Sequence, residues 1–211
     1  MRRTARPGLT LVTSVVALLA LSGCSGSDDA DGSDATTSGT TSSATSPTDD
    51  TPSSDAPAGD TVSGSGYSIV VPDGWEDVTD IAKQNSSQAD IAVAEPQAGA
   101  EFRTNFNVVT PRPLPDGVSD EQLADQAATE LQSVTNSKVT PIDVPVDFDG
   151  AQALGQTSQA SAQGYTITIT QFVLVHEDQV FATTLTYDDK RADEAMDKLT
   201  DIAGSWTWDV S

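Results

Sequence analysis

The chain carries one cysteine, Cys24, and one histidine, His176, in 211 residues. His176 is followed by Glu177 and Asp178, a grouping in which a carboxylate could orient a general base. Acyl-transfer hydrolysis also needs a positioned nucleophile, and no Gly-x-Ser-x-Gly stretch occurs anywhere in the sequence. The trio therefore reads as a solvated turn. A zinc or copper centre draws on several nitrogen or sulfur ligands, more than one histidine and one cysteine supply. Oxygen ligands for Ca²⁺ are on offer in "DVPVDFDG", which contains Asp143, Asp147 and Asp149. The twelfth position counted from Asp147 is Ser158, however, where an EF-hand loop places a bidentate glutamate. A hairpin turn accounts for these acids and Gly150 more simply. No catalytic set, metal site or cofactor is expected, and what remains for an enzyme is a pair of carboxylates acting as they do in glycosidases. That alternative, a carboxylate-dependent hydrolase of the cell envelope, is the second reading of the chain.

Cys24 gains its meaning from what precedes it. Arg2, Arg3 and Arg6 form a positive head, and Leu9 to Leu21 is a mostly apolar run of thirteen residues. Ser22 and Gly23 then supply the small residues of a cleavage site. Crossing a membrane takes about 20 apolar residues, so residues 1–23 read as a removable signal peptide rather than a permanent span. The stretch Leu21-Ser22-Gly23-Cys24 resembles the lipobox of bacterial lipoproteins at all four positions. That resemblance implies a diacylated Cys24 at the start of the mature chain, anchored in the cell membrane on its extracytoplasmic face. Two acyl chains hold a protein firmly where one holds it marginally. The twin arginines also suit a dedicated export route, but the apolar residues that should follow them are missing, which favours general secretion.

Residues 24–62 form a linker. From Ser25 to Val62, 38 residues, every side chain except Val62 belongs to Ser, Thr, Gly, Asp, Ala or Pro. Such a segment buries too little to offset its ordering entropy and should stay disordered. As a coil it spans roughly 35 Å, and at full extension about 130 Å. Of the 32 acids and 10 bases in the chain, the linker holds eight acids and the leader three bases, which leaves 24 acids against 7 bases in residues 63–211. Phosphate backbones repel such a surface, so nucleic acid is excluded as a partner. The same charge pushes the domain from an anionic bilayer, within a Debye length of about 8 Å. The linker thus has a physical task, to carry the domain clear of the membrane.

The eleven aromatic residues all lie beyond position 63, which locates one globular domain, 63–211, able to fold alone as a monomer. Alternation of Tyr67, Ile69 and Val71 predicts a strand that ends at Pro72-Asp73-Gly74. "ADIAVAE" is a shorter strand, and Gly99 lies in the turn before the next. "FRTNFNVV" sets Phe102, Thr104, Phe106 and Val108 against Arg103, Asn105 and Asn107, a half-buried strand. Leu123, Ala127 and Leu131 recur every four residues, which predicts a helix from Ser119 to Val134 with Ser119 and Gln122 as a capping box. A second helix uses Ala192, Ala195, Met196, Leu199 and Ile202, enters through Asp188-Asp189 and stops at Gly204. Pro141 and Pro145 confine "KVTPIDVPV" to a sheet edge, and "YTITITQFVLV" with "QVFATTLTY" makes a hairpin around His176-Glu177-Asp178-Gln179. The face of the first hairpin strand switches near Gln171, which predicts a bulge or two-sided burial. Trp206 and Trp208 would share one strand face and, with Trp75, pack into the core or line a pocket. Strands joined by hairpins with two helices against them give an α+β fold on an antiparallel sheet.

Taken together, "YSIVVPDGW", the "FNVV" strand before "SDEQL", the "DG" turn, "ITITQFVLV" and the closing helix before "SWTW" resemble the PsbP-like fold, an α/β/α sandwich. Within it the resemblance is closest to the actinobacterial LpqN/LpqT lipoproteins, and it covers nearly all of residues 63–211. It implies an accessory or binding protein and transfers no catalytic residue. The expected function is that of a membrane-anchored, non-enzymatic lipoprotein whose partner is an envelope protein, a transporter, or a lipid or glycolipid ligand.

Overall fold

A computed structural model of the chain describes residues 59–96, 102–162 and 164–209. Cys24, the Leu21-Ser22-Gly23 motif, the rest of the leader and most of the linker lie outside the described residues, as does Gly99. In chain order the elements are strands β1 (Thr61–Ser63), β2 (Tyr67–Val70) and β3 (Glu76–Asp77), helix α1 (Thr79–Asn85), β4 (Ala89–Ala94), β5 (Asn105–Pro113), helix α2 (Asp120–Thr135), β6 (Val139–Phe148), β7 (Ala151–Ala162), β8 (Tyr165–His176) and β9 (Gln179–Asp188). A 3₁₀ turn (Asp189–Arg191), helix α3 (Ala192–Ser205) and β10 (Thr207–Trp208) complete the chain.

Seven strands form one sheet in the order β3-β4-β5-β9-β8-β7-β6, and β1-β2-β10 form a second, smaller one. Every pairing is antiparallel. The fold class is α+β, as the run of hairpin-linked strands implies. Each face of the large sheet follows from the period of two. Phe106, Phe172, Leu174, Phe181, Leu185 and Tyr187 point to one side, where they join Tyr67 and Ile69 of the small sheet and Ala195, Leu199 and Ile202 of α3 in the main core. On the other side α2 packs Leu131 on Ile167 and Ile169, and Leu123 with Ala127 on Val173 and Val180. On that side α1 sets Ala82 against Ala92 and Ala94 of β4.

The capping box is present as the spacing predicts: Gln122 N–H donates to Ser119 Oγ, and Ser119 N–H donates to Gln122 Oε1 at 3.0 Å. β6 lies at the sheet edge, with Pro141 opposite Gln156 and Pro145 inside a register shift between Ile142 and Val146. Opposite Gly155 stands Phe172, whose ring occupies the place a Cβ would take, 2.6 Å from Cε1.

Several expectations are corrected. Order begins earlier than Ser63: Thr61 and Val62 pair with Val70 and Ile69, and Val62 packs on the core. A β-branched pair beside an edge strand offsets its own ordering entropy by pairing and burial. α1 has no counterpart in the sequence reading, because its seven residues are too few to establish a period and Val78 makes no side-chain cap. β5 is not half-buried, since Asn105 and Asn107 are as enclosed as Phe106 and Val108. At Gln171 there is no bulge, and the pairing runs unbroken on both sides. The face switch there reflects two-sided burial of a central strand. α3 continues one residue past Gly204, to Ser205.

Candidate functional site

His176, Glu177 and Asp178 form a tight turn. Glu177 and Asp178 both take positive φ, 46° and 61°, the conformation of a two-residue hairpin turn that matches strand twist. The imidazole stacks flat on the Trp208 indole, ring centres 3.9 Å apart and planes within 6°. Trp208 is in turn tied to the β6–β7 turn: its Nε1–H donates to the carbonyls of Phe148 (3.1 Å) and Asp149 (3.2 Å), and its backbone N–H to Asp149 Oδ2. Asp147 accepts from Gly150 N–H at 2.9 Å. Asp147 and Asp149 thus hold a turn, and among the described residues no three metal-ligating side chains converge. Trp206 is buried in the core and stacks on Tyr67 at 4.2 Å, so the "SWTW" tryptophans are packing groups.

Trp75 lines a cleft of about 430 Å³ with Glu95, Phe102, Arg103, Arg191, Glu194 and Lys198. Here acids and bases are mutually committed. Arg191 grips both oxygens of Glu95 and also reaches Glu194. Arg103 donates to Glu76 and to the Glu95 carbonyl, and Lys198 donates to the Asp73 carbonyl at 3.1 Å. Burial alone would raise the Glu95 carboxyl, but hydrogen bonds from Arg191 and Thr104, with the guanidinium charge, hold it below its ordinary value. A glycosidase acid requires the opposite, a carboxyl kept protonated near neutral pH. The cleft is an ion-pair latch between the end of β4 and the start of α3.

A different surface lies beside α2. Ala124 and Ala128 on the helix face Val139, Pro141 and Leu154 on the β6–β7 hairpin across a groove of about 450 Å³. Small helix residues keep the wall low, and Leu154, 39 % exposed, leaves apolar surface open on its floor. Gln156 is held at the base by donating to Gln171 Oε1 at 2.8 Å. The groove's acids, Glu121 and Asp125, stand on the same helix and do not oppose each other across it. The helix stripe and the edge strand follow from local patterns, but the groove does not, because its two walls are brought together only by tertiary packing.

No family model matches the chain, and no curated protein matches it in sequence. Solved structures similar to it include the solution structure of cyanobacterial PsbP (CyanoP) from Synechocystis sp. PCC 6803, with 15% identity and a TM-score of 0.48 over 68% of this chain and 87% of that one. LpqN of Mycobacterium tuberculosis, described as involved in cell envelope biogenesis, has 16% identity and a TM-score of 0.48 over 68% of this chain and 84% of that one. A protein from Bacteroides thetaiotaomicron has 9% identity and a TM-score of 0.45 over 69% of this chain and 46% of that one. Likenesses at this level assign no function to the chain.

Proposed function

We propose that the protein is a lipid-tethered, extracytoplasmic accessory protein that binds an apolar ligand, or an apolar segment of an envelope partner, in the groove between α2 and the β6–β7 hairpin. The observation that carries the reading is the groove itself, with Val139, Pro141, Ile142 and Leu154 along the hairpin wall, Ala124 and Ala128 among the polar residues of the helix wall, and its two carboxylates on one helix rather than opposed. Concave, mostly apolar sites with a few polar groups at their base are the usual form of ligand pockets. The Leu21-Ser22-Gly23-Cys24 motif supports the tether, and the acidic domain supports a linker long enough to hold it off the bilayer. Full-length protein crosslinked in its own cells and examined by native mass spectrometry should carry a reproducible apolar adduct or partner subunit. Cys24→Ser should move the protein from membrane to soluble fractions. A chain recovered bare, or a serine variant still bound to membrane, refutes the binding or the tethering half respectively.

A further inference from the structure

Beside its apolar lining, the groove along α2 carries charge in a fixed arrangement. Glu121 and Asp125 stand one turn apart on the helix wall, both exposed. Ala124 and Ala128 share that wall, and the lining's single base, Lys138, comes after the helix has ended at Thr135. Unlike Glu95 and Glu194 in the cleft, neither acid is ion-paired among the described residues. The groove thus offers apolar side chains on the hairpin and two uncompensated carboxylates on the helix. An occupant that matches it is apolar on one face and positively charged beside that face.

The rest of the domain biases the choice in the same direction. Residues 63–211 hold 24 acids against 7 bases, and such a field draws cations in and turns anionic headgroups away. The edge strand of the groove selects the occupant's backbone. Sheet prolines turn their nitrogen to the open edge, so β6, with Pro141 and Pro145, lacks donors that an added strand would use. The register shift between Ile142 and Val146 interrupts the same edge. A helix asks nothing of the edge, because it docks through side chains at i, i+3, i+4 and i+7.

Granted that the groove is the binding site, we propose that its occupant is a basic amphipathic helix of a protein partner. Its apolar stripe lies along Val139, Pro141 and Leu154, and lysine or arginine beside the stripe meets Glu121 and Asp125. The short side chains of Ala124 and Ala128 let the two helices approach closely. A neutral lipid makes no use of the two acids, and an anionic one is repelled by them.

The test is fluorescence anisotropy of the full-length chain with labelled peptides of about 18 residues, five helical turns. One is a leucine-lysine sequence with leucine at helical spacing, the second its leucine-glutamate counterpart, the third a leucine-lysine sequence alternating at period two. The basic helical peptide should bind saturably and the other two at least about tenfold more weakly. Glu121→Gln with Asp125→Asn should weaken its binding about fivefold. Asp193→Asn with Asp197→Asn, an equal change of net charge at exposed positions of α3, should leave it within about twofold. Equal weakening by the α3 pair reduces the effect to net charge and overturns the proposal, as does equal binding of the acidic or the alternating peptide. Should the native adduct depend on Leu154 while no basic helix binds, the groove stays a site and the helical partner is refuted. Should the adduct persist in Leu154→Asp, the groove reading itself falls.

Discussion

Arg191, in the turn before α3, holds both carboxylate oxygens of Glu95, at the end of β4, across 96 residues of sequence. One bidentate contact thus fixes how the C-terminal helix meets the far half of the sheet. Both side chains are largely covered, with 31% and 17% of their surface exposed, so solvent screens the pair less than an open surface bridge. Arg191→Ala should lower unfolding free energy by about 1–3 kcal/mol, read from urea midpoints at constant m-value. Arg191→Lys should recover only part of it, because an ammonium cannot reproduce the fork.

The same contact makes stability depend on acidity in a defined direction. Glu95 titrates below its ordinary value of 4.5 in the folded state. Its contribution is therefore complete above pH 4.5 and is lost as pH falls from there through the depressed folded value, where the unfolded chain binds the proton first. Glu95→Gln should lack this component. The stability difference between parent and variant should be constant from pH 7 to about 5 and shrink below it.

Gly64 tests the tightness of the small sheet. A Cβ there would sit 2.3 Å from Tyr67 Cζ, inside a ring that is fully buried and stacked on Trp206. Neither ring has room to retreat. Gly64→Ala should cost about 1–3 kcal/mol by overpacking, with a changed near-ultraviolet dichroism signal as the stack is displaced.

Leu154→Asp separates binding from folding. The side chain is 39% exposed on the groove floor, so a carboxylate there remains hydrated in the free protein but would be stripped of water by an apolar occupant. The adduct seen by native mass spectrometry should disappear, while stability falls by no more than about 1 kcal/mol, the span of strand propensities.

At the start of α2, Ser119→Ala should cost about 1 kcal/mol through the lost cap. Ser119 and Gln122 satisfy each other's backbone groups, so Gln122→Ala added to Ser119→Ala should cost less than the two single changes summed. A thermodynamic cycle at neutral pH measures that coupling.

Local signals made much of this fold readable. The four-residue recurrence of Leu123, Ala127 and Leu131, the Ser119 cap, the edge prolines and the hairpin around His176-Glu177-Asp178-Gln179 each encode their geometry within a few positions. Asn105, Asn107 and Thr184 show the limit. Alternation assigns polar residues to water, and only the neighbouring strands reveal that this face lies inside. His176 carries the same lesson, because its partner Trp208 is remote in sequence and no spacing joins them. That Asn105 Oδ1 and Asn107 Nδ2 are buried without a hydrogen-bond partner left no trace in the sequence, since it is a property of assembled neighbours.

The small sheet has a consequence for the order of events in biogenesis. Strand β2 finds one neighbour in β1, immediately upstream, and the other in β10, with Ser68 and Thr207 joined across 139 residues. A polypeptide made N-terminus first leaves this seam open until residue 208 arrives. Large loop closures are slow to form, and so β2 gains its second neighbour only at the end of synthesis, when the last strand docks.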